Sequence, residues 1–255
     1  MTGMSLCSTA AGPEYGQFPA LAAEPRLVHG LFSRQGGESS APYHSLNVSF
    51  GVGDDPATVL ANRALLKKAL GLSTLVSARQ VHGDRVLTIN SPPPADFEAE
   101  GYDALITNLP LGLMIQQADC QAVIIYDPEG PALGLAHVGW RGNVAGIIGL
   151  TVRAMTASFA SDPAKLRAAI SPSLSPCCAE FRDYHRELPG WMHEFQVRPA
   201  YFDFPAISIR QLTDAGLDPQ RINRAGLCTR CNPAYYSFRR DKVTGRFATV
   251  AGLLR

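Results

Sequence analysis

The chain has almost no net charge, +1 from 23 Lys and Arg against 22 Asp and Glu over 255 residues. So weak a field excludes a general electrostatic grip on nucleic acid or an anionic membrane, and leaves any anionic substrate to local arginines. Long hydrophobic runs are missing as well: no segment has the unbroken apolar length of a membrane helix. The opening MTGMSLCSTAAGPEYGQFPALAAEP lacks a basic stretch followed by an apolar core, so a cytoplasmic location is the expectation. Cysteine is too scarce for a disulfide scaffold, six residues with Cys177 and Cys178 adjacent, and the thiols are read as reduced. Histidine is scarcer than a multicopper oxidase requires: His29, His44, His82, His137, His185 and His193 are scattered, with no His-x-His pair. There is no HExxH, no internal repeat and no low-complexity linker. The CxxC of Cys228 and Cys231 has no second such pair, and adjacent Cys177 and Cys178 have poor geometry for completing a tetrahedral site, so the CxxC is read as structural.

What is present fits one large domain: 46% hydrophobic residues in a chain of this length bury a substantial core. Residues 1–25, rich in Ala, Gly, Pro and Ser, read as a loose N-terminal extension, ahead of a catalytic domain over 26–255. The spacing predicts a helix in PATVLANRALLKKAL, capped by Asp55, opened by Pro56 and ended by Gly71. Short apolar runs follow, RVLTI, DALIT, GLMIQ, AVIIYD and ALGLAHV, each a strand by composition and bounding turns. NVAGIIGLTVRAMTASF then presents Val144, Ile147, Ile148, Thr151, Met155 and Phe159 on one helical face. Short helices are expected around CCAEFRDYH and PAISIRQLTDAG, and strands in RINRAGLC, YYSFRR and RFATVAGL. The mixture argues for an α+β fold rather than strict βαβ alternation.

Three polar residues interrupt otherwise apolar sequence: His82 in ARQVHGDRV, Cys120 in IQQADCQAVIIYD and His137 in GLAHVGWRG. Two imidazoles and a thiolate suit zinc, and three protein ligands leave a fourth tetrahedral position for water or substrate. Apolar runs ending abruptly in polar residues resemble strands that deliver side chains to a shared rim. Asp119 and Gln80 flank these motifs, placed to orient a ligand imidazole, position water or act as a general base. Arg141 precedes an expected helix start, where free amides favour an anion such as phosphate. Gly139 and Gly142 equally suit a tight turn, and Arg141 a structural ion pair. Arg34, on the glycine-containing loop FSRQGGES, is a second candidate anion ligand. The basic cluster SFRRDKVTGR is accounted for as a turn edge with solvated arginines.

From about Leu31 onward the chain resembles the YfiH family, also called the laccase-domain, polyphenol-oxidase or peptidoglycan-editing-factor family. The resemblance rests on ordered blocks: FSRQGG, HSLNVSFGVGDDPATVLANRALL, RQVHGD, DALIT, ADCQAVIIYD, LAHVGWRG, SPSLSPCCAEF, CTRC and SFRRDKVTGR. It implies a layered α/β/β/α sandwich with mixed sheets, and it maps the family's metal-binding His, Cys and His onto His82, Cys120 and His137. Family members, by this resemblance, cleave adenosine, inosine or methylthioadenosine with phosphate and also deaminate adenosine, so the implied partners are a purine nucleoside and phosphate, with zinc as cofactor. Copper at the same site would give phenol oxidation. A third possibility is an amide or ester hydrolase with Cys120 as nucleophile, connected to peptidoglycan editing. The chain departs from the family pattern at Ser171 and Ser175, where glycine is usual, and at Tyr235, Tyr236, Ser237 and Phe238, where the family has Phe-Phe-Ser-Tyr.

Overall fold

Strand patterning decides the architecture. The structure, a computed structural model, describes residues 3–8 and 12–255. One sheet contains, in spatial order, β1 (Ser5–Ser8), β2 (Glu14–Gln17), β3 (Leu27–Phe32), β15 (Phe247–Leu253), β8 (Gly112–Gln117), β4 (Leu75–Arg79) and β6 (Phe97–Glu100). The second runs β14 (Ile222–Arg224), β11 (Arg167–Ile170), β9 (Gln121–Asp127), β10 (Ala132–Val138), β7 (Ala104–Thr107) and β5 (Val86–Ile89). A small ribbon pairs β12 (Gln196–Arg198) with β13 (Tyr201–Phe202). Both large sheets are mixed: β4 runs parallel to β6 and β8, and β11 parallel to β14, among antiparallel neighbours.

Alternation along each central strand sends side chains to two different cores, which is why these segments read as continuous apolar runs. In β9, Ala122, Ile124 and Tyr126 meet Leu31, Leu113 and Ala251 of the first sheet, whereas Val123 and Ile125 face the opposite way. That outer face is covered by α4 (Ile147–Phe159), through Ile148, Val152 and Met155, and by Leu212 of α6 (Phe204–Asp214). The outer face of the first sheet is covered by Leu66 and Leu70 of α2 (Pro56–Leu70). The result is the α/β/β/α sandwich. Short helices complete the chain: α1 (Pro19–Ala22), α3 (Trp140–Ala145), α5 (Tyr184–Glu187) and α7 (Phe238–Asp241).

The α2 boundaries agree with its capping signals. Asp55 accepts from the Thr58 amide, and Gly71 turns left-handed at φ 66°. Three expectations need correction. Described residues before Arg26 are not loose: β1 pairs with β2 and β2 with β3, Phe18 and Leu21 are fully buried, and the Phe18 amide donates to His29 Nε2 at 2.8 Å. A few well-placed apolar residues outweigh the Ala/Gly/Pro-rich average; residues 1–2 and 9–11 lie outside the described ones. The helix expected across residues 143–159 is broken, because Gly146 adopts φ 75°, and Val144 is thereby left exposed on α3. YYSFRR forms no strand; its end begins α7, where Ser237 Oγ accepts from the Arg240 amide.

Candidate functional site

Two of the three site motifs lie where a strand of one sheet gives way to a strand of the other, and the third closes a strand of the second sheet. His82 follows β4, Cys120 lies between the end of β8 and the start of β9, and His137 is within β10 just before α3. Their donor atoms all lie within 4.8 Å of one another. Cys120 Sγ is 3.8 Å from His82 Nε2, and the two imidazoles stand edge to face with centroids 4.8 Å apart. Gly139 makes this approach possible: a Cβ there would meet His82 Cδ2 at 2.9 Å and Cys120 Sγ at 3.2 Å.

The convergence is held by Asp103, whose importance the sequence reading missed. Its buried carboxylate accepts from the amides of Val81, His82 and Gly83 at 3.2, 2.9 and 2.7 Å. It also lies 2.8 Å from His137 Nδ1, and its carbonyl accepts from the His137 amide at 2.7 Å. One side chain therefore shapes the His82 loop and turns His137 Nε2 toward Cys120. Burial alone would raise the Asp103 pKa, but hydrogen bonds from His137 and the Gly83 amide hold it below its ordinary value. His82 and Asp119 take left-handed backbone conformations, φ 61° and 89°, that non-glycine residues adopt only when surroundings impose them. For Asp119 the surroundings are Thr229 Oγ1, which donates to its carboxylate at 2.7 Å, and the Arg239 amide, which donates at 2.6 Å.

Burial also opposes ionisation of Cys120, yet the charge of His137 and hydrogen bonds from His137 and His82 outweigh it and bring the thiol down to about 6. Reciprocally, burial would lower His137, but the Cys120 thiolate and Asp103 carry it up to about 9. With no cation between them the pair favours thiolate beside imidazolium; a metal would bind the thiolate directly and displace the proton from His137 Nε2. Cys120 is enclosed on most sides but keeps access to the cavity, His137 is buried, and His82 is exposed. Two imidazoles and one thiolate at these separations fit a transition metal of borderline softness, and all three residues line one cavity.

That cavity has a volume of about 700 Å³, within the usual range for small-molecule sites. Trp140, Phe181 and Phe204 form one aromatic wall, with successive ring centroids 6.2 and 4.7 Å apart. Phe50 and Phe238 stand partly exposed at its edge. Its cations are Arg79, Arg239 and Arg246. Burial pushes the Arg246 guanidinium below its ordinary value, partly offset by the charges of Cys120 and Asp119, which places it near the donor cluster.

Asp119 and Gln80 also line the cavity, as their positions beside the ligand motifs lead one to expect. Gln80 is tied to the main chain of Gln116, donating to its carbonyl and accepting from its amide, both at 2.9 Å. Arg34 and Arg141 do not line it. The Arg34 side chain donates to the His44 carbonyl at 2.7 Å and covers the Tyr236 ring, while exposed Arg141 lies over Trp140. The correction extends to SFRRDKVTGR, which is more than a solvated turn. It supplies Arg239 and Arg246 to the cavity, and Arg240 donates to the carbonyls of Thr229, Arg230, Asn232 and Tyr235. Three arginines within ten residues are the available signal, but they do not distinguish a solvated turn from one folded against a cavity.

The chain resembles a purine nucleoside phosphorylase of Streptomyces coelicolor, with 34% identity over 225 residues, covering 86% of this chain and 92% of that protein. A purine nucleoside phosphorylase of Xylella fastidiosa is 35% identical over 260 residues, covering 92% and 98%. Among solved structures, the hypothetical protein YfiH of Bacillus licheniformis superposes with a TM-score of 0.86 at 27% identity, covering 98% of this chain and 99% of that one. YlmD of Geobacillus stearothermophilus gives 0.85 at 27% identity, with the same coverage. With residues 28–254 matching the family model described as multi-copper polyphenol oxidoreductase laccase, and with YfiH-type structures sharing its fold, the chain belongs to that laccase-like YfiH family.

Proposed function

We propose that the chain is a zinc-dependent purine nucleoside phosphorylase acting on adenosine, inosine and methylthioadenosine, with adenosine deamination as a second activity of the same site. The observation that carries this reading is the convergence of His82, Cys120 and His137 on a cavity walled by aromatic rings and guanidinium groups. The names of the phosphorylase relatives support it. Zinc held by those three residues would supply Lewis acidity.

The remaining roles fall to the chain itself. Asp103 orients His137 and fixes the His82 loop, and Asp119 positions Arg239 by accepting its amide. The aromatic wall offers faces against which a purine can stack, while Arg239 and Arg246 supply the positive charge that a phosphate requires. In phosphorolysis a phosphate oxygen forms the bond to the ribose anomeric carbon as the bond to purine nitrogen breaks, its electron pair leaving with the base. Positioning and charge neutralisation are the main contributions available to these residues. Deamination replaces the purine amino group by water and releases ammonia, without using phosphate. Incubating adenosine with and without phosphate tests the assignment: adenine and ribose 1-phosphate are expected only with phosphate, and inosine in both cases. Phosphate-independent adenine release would reject phosphorolysis.

The Cys120–His137 pair favours a second reading, a cysteine hydrolase acting on an amide or ester such as a cell-wall precursor. A Cys120→Ala protein that loses turnover but keeps a metal bound through the nitrogens of His82 and His137 would favour it. Multicopper chemistry has less support. Besides His82 and His137, the histidines have other surroundings: His29 accepts from the Phe18 amide, and His185 and His193 pack around Tyr184.

A further inference from the structure

A second cluster, of four cysteines, converges beside the cavity from two segments far apart in sequence. Cys177 and Cys178 are in the turn after β11, and Cys228 and Cys231 in the turn after β14. Because β11 and β14 are parallel neighbours, both turns emerge at the same end of the sheet. Ser173 and Cys228 continue that pairing: the Ser173 amide donates to the Leu227 carbonyl at 3.3 Å, and the Thr229 amide to the Ser173 carbonyl at 3.0 Å. A second tight turn, in which the amides of Cys178 and Ala179 both donate to the Ser175 carbonyl, brings the adjacent cysteines toward the CxxC. The poor geometry expected of adjacent cysteines is thus overcome by the turn that carries them.

All four sulfurs lie within 4.8 Å of one another, with Cys177 to Cys231 at 3.8 Å and Cys178 to Cys231 at 3.4 Å. A disulfide would bring two of them to about 2.05 Å. A tetrahedron of thiolates, each about 2.3 Å from a central zinc ion, instead has edges of about 3.8 Å. Hydrogen-bond donors are directed at two of the four sulfurs. Arg230 Nη1 lies 3.6 Å from Cys178 Sγ, and the backbone amides of Ser175, Cys231 and Arg230 are directed at the Cys228 thiol. Two of those amides come from within the CxxC turn itself, where they partly neutralise sulfur charge.

We propose that Cys177, Cys178, Cys228 and Cys231 form a second metal site that takes a thiophilic divalent cation, zinc in particular, with all four positions filled by protein sulfur. Such a site is closed to substrate and acts as a structural clamp. What it clamps borders the cavity. Thr229, between the two cysteines of the CxxC, donates to Asp119, and the Arg239 guanidinium donates to the carbonyls of Cys178 and Glu180 at 3.4 and 3.1 Å. The metal would therefore hold together the segments that place Asp119 and Arg239, whichever reaction the cavity performs.

The test uses the full-length Cys120→Ala protein, which lacks the thiolate of the other cluster but keeps all four of these cysteines. Purified from zinc-supplemented cells without chelator, it should retain about one zinc per chain, and X-ray absorption should show four sulfur neighbours at about 2.3 Å. Adding Cys228→Ser and Cys231→Ser together should remove that zinc. If the double substitution does not fold, the first measurement still decides. A zinc-free Cys120→Ala protein would overturn the proposal, as would a zinc shell containing nitrogen. So would an intact mass lower by about 2 Da for each disulfide formed among these cysteines.

Discussion

Two clusters of side chains able to hold a metal contrast in donor set and surroundings. His82, Cys120 and His137 combine nitrogen with sulfur, supply three donors and face a cavity; Cys177, Cys178, Cys228 and Cys231 supply four sulfurs and face one another. The first is organised by a buried carboxylate, Asp103, which fixes a loop and an imidazole together. The second is organised by parallel strand pairing and tight turns. On the proposed roles, donor number and surroundings, more than the presence of cysteine, distinguish a site open to substrate from one that closes the structure.

The comparison breaks most directly at Cys120. Cys120→Ala should lower phosphorolysis by about a thousandfold or more, since it removes a ligand of the proposed zinc, which would supply Lewis acidity. Its thermal midpoint should move little, because Cys120 is at a cavity edge. Near-normal steady-state turnover with normal metal content would remove Cys120 from the site. Asp103→Asn should have the next largest effect, a loss of about 10- to 100-fold in metal affinity or activity, with some destabilisation, because an amide has one acceptor oxygen for four donors. Metal titration of the folded variant measures it, and unchanged affinity would show that the His82 loop holds its shape alone.

The arginines provide a finer contrast. Arg246→Ala should raise the phosphate KM by roughly tenfold to a hundredfold, about 1.5–3 kcal/mol for a charge-assisted contact, and affect adenosine deamination less. Equal losses in both reactions would make Arg246 structural. Arg141→Ala, which removes an exposed guanidinium from over Trp140, should change the phosphate KM by less than about threefold, the scale of an exposed cation–π contact. A larger phosphate-specific effect would restore Arg141 to the site.

These contrasts also mark what could be read from sequence. Asp55, Pro56 and Gly71 define α2 because capping is local chemistry, and AVIIYD and ALGLAHV announce buried strands because both their faces are apolar. His82, Cys120 and His137 stand out as polar residues at the ends of such runs. Asp103 opens a strand and carries no local mark of its role, since three of its partners are on a preceding loop and the fourth on a later strand. Arg239 and Arg246 look like turn residues until Asp119 and the cavity are placed beside them. The four-cysteine cluster depends on β11 lying parallel to β14, a long-range pairing that residue spacing does not express. Phe18 and Leu21 were concealed by the composition around them.

The most direct measurement of the central claim follows ribose 1-phosphate formed from adenosine and phosphate as zinc is removed by chelation and then restored. The account expects one ribose 1-phosphate for each purine base released, adenine and hypoxanthine together, with loss of phosphorolysis on chelation, recovery on zinc addition, and no recovery in Cys120→Ala. Chelator-resistant turnover, or zinc-restored phosphorolysis in the Cys120→Ala protein, would contradict it.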